Sequence, residues 1–137
     1  MTQLSDKGAA PRINPRYWKA EKRKLVKRIA VDGEQFVSQN FKKEGFQDGT
    51  LKRWAPASPQ SRKPKTQNLL VKSGVLRNDT RSRVIGEDRV QLINDAPYAR
   101  RHNEGLDGMP KRQFMGKSKT LNKAIKKQIG KSLRKLF

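Results

Sequence analysis

One side chain in the sequence is suited to moving protons near neutral pH. It is His102, the single histidine, within Pro97-Tyr98-Ala99-Arg100-Arg101-His102-Asn103-Glu104-Gly105. An imidazole can serve as a general base or a metal ligand. A triad built on it would need a nucleophile and a carboxylate from elsewhere, and no nucleophile elbow is present. His102-Asn103-Glu104 is superficially like a nuclease motif, but such motifs need further metal ligands or catalytic histidines. The 12 Asp and Glu residues are scattered, with Glu87-Asp88 in a turn, and there is no cysteine. Nothing here clusters carboxylates for a divalent ion, cradles a nucleotide phosphate or builds a disulfide framework. The sequence therefore predicts no enzyme, no cofactor and no metal, and it gives His102 a structural or interface role.

The remaining chemistry is electrostatic. Lys and Arg number 33 against 12 acids, a net charge of +21 over 137 residues. The pI is near 10.9. Small soluble domains usually carry a net charge of about 2–8 in magnitude. A field this strong gathers phosphates and acidic partners. The charge is most one-sided at the C-terminal end, where Gly108–Phe137 holds ten Lys and Arg and no acid. From Ser118 this segment reads as a helix, capped by Ser118 or Thr120. Leu121, Ile125, Ile129, Leu133 and Leu136 form its apolar stripe, and Lys119, Lys123, Lys126, Lys127, Lys131, Arg134 and Lys135 its polar face. Like charges on one face repel and forgo i,i+4 pairing. Such a face implies contact with DNA or with an acidic protein. Membrane-surface helices share this signature, but nothing else in the chain supports a membrane.

The elements that must position this face follow from pattern. Residues 1–13 read as a flexible tail. The start has no apolar h-region, which argues against a signal peptide. No apolar run reaches membrane-spanning length. The chain is compatible with the cytosol. Residues 14–137 read as a single domain. Asn14 and Pro15 signal a helix start, and the helix spans 14–41. Trp18, Leu25, Val26, Ile29, Phe36, Val37 and Phe41 lie on one stripe, for core packing or a subunit interface. Asp32-Gly33 is a possible kink.

Residues 42–68 read as a long polar loop with Pro56, Pro59 and Pro64 and no secondary structure of its own. Trp54 within it suits an anchor on its own domain or on a neighbouring subunit. Residues 69–116 form the sheet region. Leu69–Leu76 is an apolar run broken by Ser73-Gly74. Period-2 alternation over Thr80–Ile85 and Arg89–Ile93, with Gly86-Glu87-Asp88 between, predicts a hairpin. Apolar residues on both faces near Ile85 and Ile93 predict that one hairpin end is covered on both sides. Asp95 is placed to cap a short helical turn that carries Pro97, and Gly105 to end it. Arg112–Met115 reads as one more strand, with Phe114 pointing inward. Residues 117–137 are the basic helix. The fold class is α+β: a small antiparallel sheet flanked by N- and C-terminal helices, with a long Pro-containing loop. Mean hydropathy is −0.98, so the core is thin.

These residues also carry a resemblance. Trp54 is followed by Leu-x-x-Ser-Gly-x-Leu-Arg, a hairpin, Pro-Tyr-Ala-x-x-His-x-x-Gly, Pro-x-Arg-x-Phe-x-Gly and a basic helix. That order resembles the virion morphogenesis (tail completion) family of tailed bacteriophages, over about Phe46 to Gly116. The chain departs from the family pattern at Glu104 and Gln113. The resemblance implies a structural neck subunit that joins tail to head, in a homo-oligomeric ring of six copies around a DNA channel. It implies neighbouring neck, connector or tail-terminator proteins as partners, and a place in the virion after assembly in the host cytoplasm. Trp54, Tyr98, His102 and Phe114 are the expected subunit-interface residues. The competing expectation is a non-specific nucleic-acid-binding protein, ribosome- or nucleoid-associated. It shares the charge but leaves the ordered motifs unexplained.

Overall fold

A computed structural model describes residues 14–56 and 75–136. The 1–13 tail, most of the Pro-containing loop and the Leu69–Gly74 run lie outside the described residues. The chain opens with α1 (Pro15–Lys43). Asn14 is extended, and its side chain accepts the Arg16 N–H at 2.9 Å, with Pro15 in the first turn where no N–H is needed. The helix runs unbroken through Asp32-Gly33. Gly33 instead gives close approach: a Cβ there would lie 2.9 Å from a methyl of Leu92. Glu44 ends α1 in the left-handed conformation.

β1 (Gly45–Asp48) and β2 (Thr50–Arg53) follow as an antiparallel hairpin turning on Gly49. This corrects the expectation of a structureless loop. Asp-Gly is a hairpin signal, but β2 is exposed at every position and shows no apolar alternation. After the one-turn α2 (Val75–Asn78), β3 (Thr80–Ile85) and β4 (Arg89–Asn94) form a second hairpin. The two hairpins are separate two-stranded sheets, not one.

The second hairpin pairs Ile85 with Arg89 beside the turn, but Ile93 with Arg81 toward its base. The two isoleucines therefore mark opposite ends. Val84 and Ile85 remain 42% and 39% exposed, so the turn end is not covered on both sides. Then come α3 (Ala99–Glu104) and α4 (Lys119–Leu136). Asp95 does not cap α3. Its carboxylate pairs with Arg81, and Tyr98 stands at the cap without a side-chain bond. Gly105 does end α3, with φ 71°. Arg112–Met115 is not a strand, yet Phe114 points inward as expected.

The architecture is α+β. Its core gathers Phe36, Val37 and Phe41 of α1 with Phe46, Trp54, Leu76, Ala96, Ala99 and Phe114. Phe41 meets Trp54 edge-on at 5.6 Å and Phe114 at 5.0 Å between ring centres. Each such side chain, fully buried, stabilises by about 1.5–3 kcal/mol. The polar hub is Asn40, wholly buried. It donates to the Phe114 carbonyl at 3.0 Å and accepts the Gln47 N–H at 3.1 Å.

Candidate functional site

The basic helix α4 is fixed at its first turn by the β1–β2 hairpin. The Ser118 hydroxyl accepts the Leu121 N–H at 3.1 Å and donates to the Gln47 carbonyl. The Asp48 carboxylate accepts the Lys119 N–H at 2.8 Å, and the Gly49 N–H reaches the Thr120 hydroxyl at 2.9 Å. A carboxylate at a helix N-terminus is favoured by the dipole. The Lys119 N–H, and then Lys52, hold Asp48 below its ordinary carboxylate pKa against the opposing cost of burial.

Along its length α4 lies antiparallel to α1. Gln128 donates to Asp32 at 2.9 Å, Arg28 donates to the Ser132 hydroxyl at 2.6 Å, and Lys135 stands 3.7 Å from Glu21. Arg28 also bonds Glu21 at 3.2 Å. Ser132 hydrogen bonding and Arg28 together hold Glu21 below its ordinary pKa. The seam is thus polar at its deepest point, with Ser132 fully buried. The apolar stripe is turned partly aside. Leu121, Ile125, Leu133 and Leu136 are half-buried, and Ile129 is 38% exposed. Glu21, Arg28 and Asp32 offer α4 polar partners, so that among the described residues no buried side-chain polar group at the seam is left without one.

The rest of the circumference of α4, from the rim of the seam round to the outer side, carries the expected basic face. Lys119, Lys123, Lys126, Lys127, Lys131, Arg134 and Lys135 are all exposed. Among the described residues, Lys135 alone of the seven has an acidic side-chain partner, Glu21. Acids elsewhere are largely taken up within the chain. Glu21, Asp48, Glu87, Asp95, Glu104 and Asp107 sit in ion pairs. Asp32 and Glu34 accept from Gln128 and Ser82.

The four expected interface residues separate into two settings. Trp54 and Phe114, at 7% and 1% exposed, lie inside the chain's own core, and the Trp54 indole N–H donates to the Gln113 carbonyl at 2.8 Å. From beneath the surface, Trp54 holds the Gln113 carbonyl at the start of residues 113–116. Tyr98 and His102 are half-buried neighbours, ring edge to face at 5.9 Å. The His102 carbonyl accepts the Arg112 N–H at 2.8 Å. Asn103 and Glu104, the other members of the nuclease-like triplet, are engaged structurally. Asn103 accepts the N–H groups of Phe114 and Met115, and Glu104 pairs with Arg100. No group of three metal-ligating side chains occurs among the described residues. No described helix is long and apolar enough to cross a membrane.

Sequence reasoning missed Glu34, Asn40, Asp48 and Ser132. Of these only Asp48, before Gly49, carried a local signal. A family model for phage virion morphogenesis proteins matches residues 8–134. No curated protein and no solved structure matches the chain.

Proposed function

The chain belongs to the phage virion morphogenesis family, and on that premise we propose that it is a tail completion subunit at the neck, joining tail to head. In this reading six copies form a ring around the DNA channel, beside neck, connector or tail-terminator proteins. The ring is built in the host cytoplasm and stays in the virion. Its part is structural and not catalytic. The observation that carries the reading, beyond the family, is the α4 face: seven exposed cations with one acidic partner between them among the described residues. Such a face is stabilised by a polyanion or an acidic neighbour. A neck supplies both.

Removing the protein from an infection tests this. Filled heads and unattached tails are expected to accumulate. Joined, infectious particles in its absence would overturn the reading.

The same face favours one second reading, a plain nucleic-acid binder. Phosphate contacts carry no sequence information, so binding would be non-specific. Changing Lys123, Lys126 and Lys127 together to Gln leaves the α1 seam intact. If all three touch phosphate, the slope of log K against log salt falls by up to about 2.7 units. An unchanged slope with lost assembly would assign the face to an acidic protein neighbour. A monomer that binds nucleic acid tightly and is dispensable for particles would support the second reading.

A further inference from the structure

We propose that the seam between α1 and α4 is a track for the phosphate backbone of nucleic acid. The phosphate-binding surface would then be composite, with α1 supplying half of it. A shallow groove of about 350 Å³ runs along the seam, lined by Lys27, Arg28, Val31, Asp32, Gln35 and Gln128. Helical spacing extends both rims. On α1, Val31, Lys27 and Lys24 fall at i, i−4 and i−7. On α4, Gln128, Lys131 and Lys135 fall at i, i+3 and i+7. Residues so spaced share one side of a helix. The helices are antiparallel, so the Lys24–Lys27 row faces the Lys131–Lys135 row. All four lysines are exposed.

Two facing rows of cations are unfavourable without an anion between them. Among the described residues, Lys24, Lys27 and Lys131 have no ion-pair partner, and Lys135 shares Glu21 with Arg28. The groove itself contains one acid, Asp32, whose carboxylate accepts from Gln128. Arg28 is held at the floor by Glu21 and Ser132. The rims rise about 10 Å from Lys24 to Val31 at 1.5 Å per residue. That length exceeds the axial rise of about 3.4 Å between successive phosphates of one strand, so a strand can place more than one phosphate along the row, whereas a single small anion would leave most of it unmatched. A protein partner is less well served, because stable interfaces have a desolvated apolar centre. The groove offers Val31 alone, 49% exposed.

The inference deepens the neck reading, and depends on it only for the origin of the polyanion. The test uses the full chain and a short duplex DNA of arbitrary sequence, with binding measured across salt concentrations and folding monitored by circular dichroism. Lys24→Gln with Lys27→Gln is expected to lower the salt slope by about 1.8 units. Lys42→Gln with Lys111→Gln removes the same charge from exposed positions away from the groove, and is expected to leave the slope nearly unchanged. Equal losses in the two pairs would mean diffuse attraction, and would overturn the track. So would an unchanged slope in both, with α4's outer face then carrying binding alone. Binding to polyglutamate or anionic vesicles but not to the duplex would also overturn it, in favour of an acidic protein or a membrane. Duplex binding in solution and the joining of heads to tails are separate readouts, so either claim can fail while the other stands.

Discussion

Asn40 and Phe114 are joined by a hydrogen bond across 74 residues of chain, from a side chain with no solvent exposure to a backbone carbonyl at 3.0 Å. Through its oxygen the same amide takes the Gln47 N–H and the Gln47 side-chain NH₂, each at 3.1 Å. One side chain near the end of α1 thereby fixes both the first hairpin and the stretch leading into α4.

Asn40→Ala strands the Phe114 carbonyl and the Gln47 N–H. A buried group left without its partner costs about 1–3 kcal/mol. Urea unfolding is expected to show a loss of about 2–4 kcal/mol. A loss well under 1 kcal/mol would mean that water replaces the amide at little cost.

Gly33 is a packing glycine. In Gly33→Ala the new Cβ meets the far end of the Leu92 side chain, which can swing away. Ala also gains about 0.5–1 kcal/mol of helix propensity. The two effects nearly cancel, so stability is expected within about 1 kcal/mol of the parent. Gly33→Val adds bulk that the hairpin must yield to, and is expected to cost about 1–3 kcal/mol. Thermal unfolding of both variants checks the contrast. A tolerated Val would show that the hairpin slides freely on α1.

The α1–α4 seam is expected to be acid-sensitive. Glu21 has a lowered folded pKa, so its contribution is present above the ordinary carboxylate range. It is lost as pH falls through the folded value. Asp48 at the first turn of α4 has the same sign. The melting temperature of the parent is expected to fall more steeply on acidification than that of Glu21→Gln with Asp48→Asn. Parallel curves would show that neither carboxylate is favoured by folding.

His102→Gln is expected to leave no reaction impaired, because His102 is built into the α3 packing with Tyr98. Any effect falls on particle assembly. A hydrolase activity of the purified protein that this substitution abolishes would refute the structural role.

What the sequence made legible had local causes. Asn14-Pro15, Gly86, Gly105 and Ser118 each announce a turn or cap by backbone chemistry, and each stands where its type requires. The Phe36, Val37 and Phe41 stripe faced the core as its spacing demanded. The failures share a tertiary cause. β2 is exposed throughout, so its hydropathy pattern was silent. Asp95 had a closer partner in Arg81 than any helix N–H. The Leu121–Leu136 stripe predicted the rotation of α4 imperfectly, because Arg28 and Asp32 draw Ser132 and Gln128 inward. Such partners lie about 100 residues away in sequence, and no window along the chain contains them both.

Because most described carboxylates are occupied inside the chain, two copies approaching in solution present cation to cation. Dissolved salt then acts in opposite senses on the two associations available. It weakens the hold on a polyanion by removing the gain from released counterions, and it shortens the range of repulsion between copies. On the proposed reading, self-association without nucleic acid is therefore expected to be favoured by high ionic strength, where nucleic-acid binding would fade. In the proposed ring, a threaded polyanion would take over the salt's task at low ionic strength, acting as one shared counterion for every copy around it.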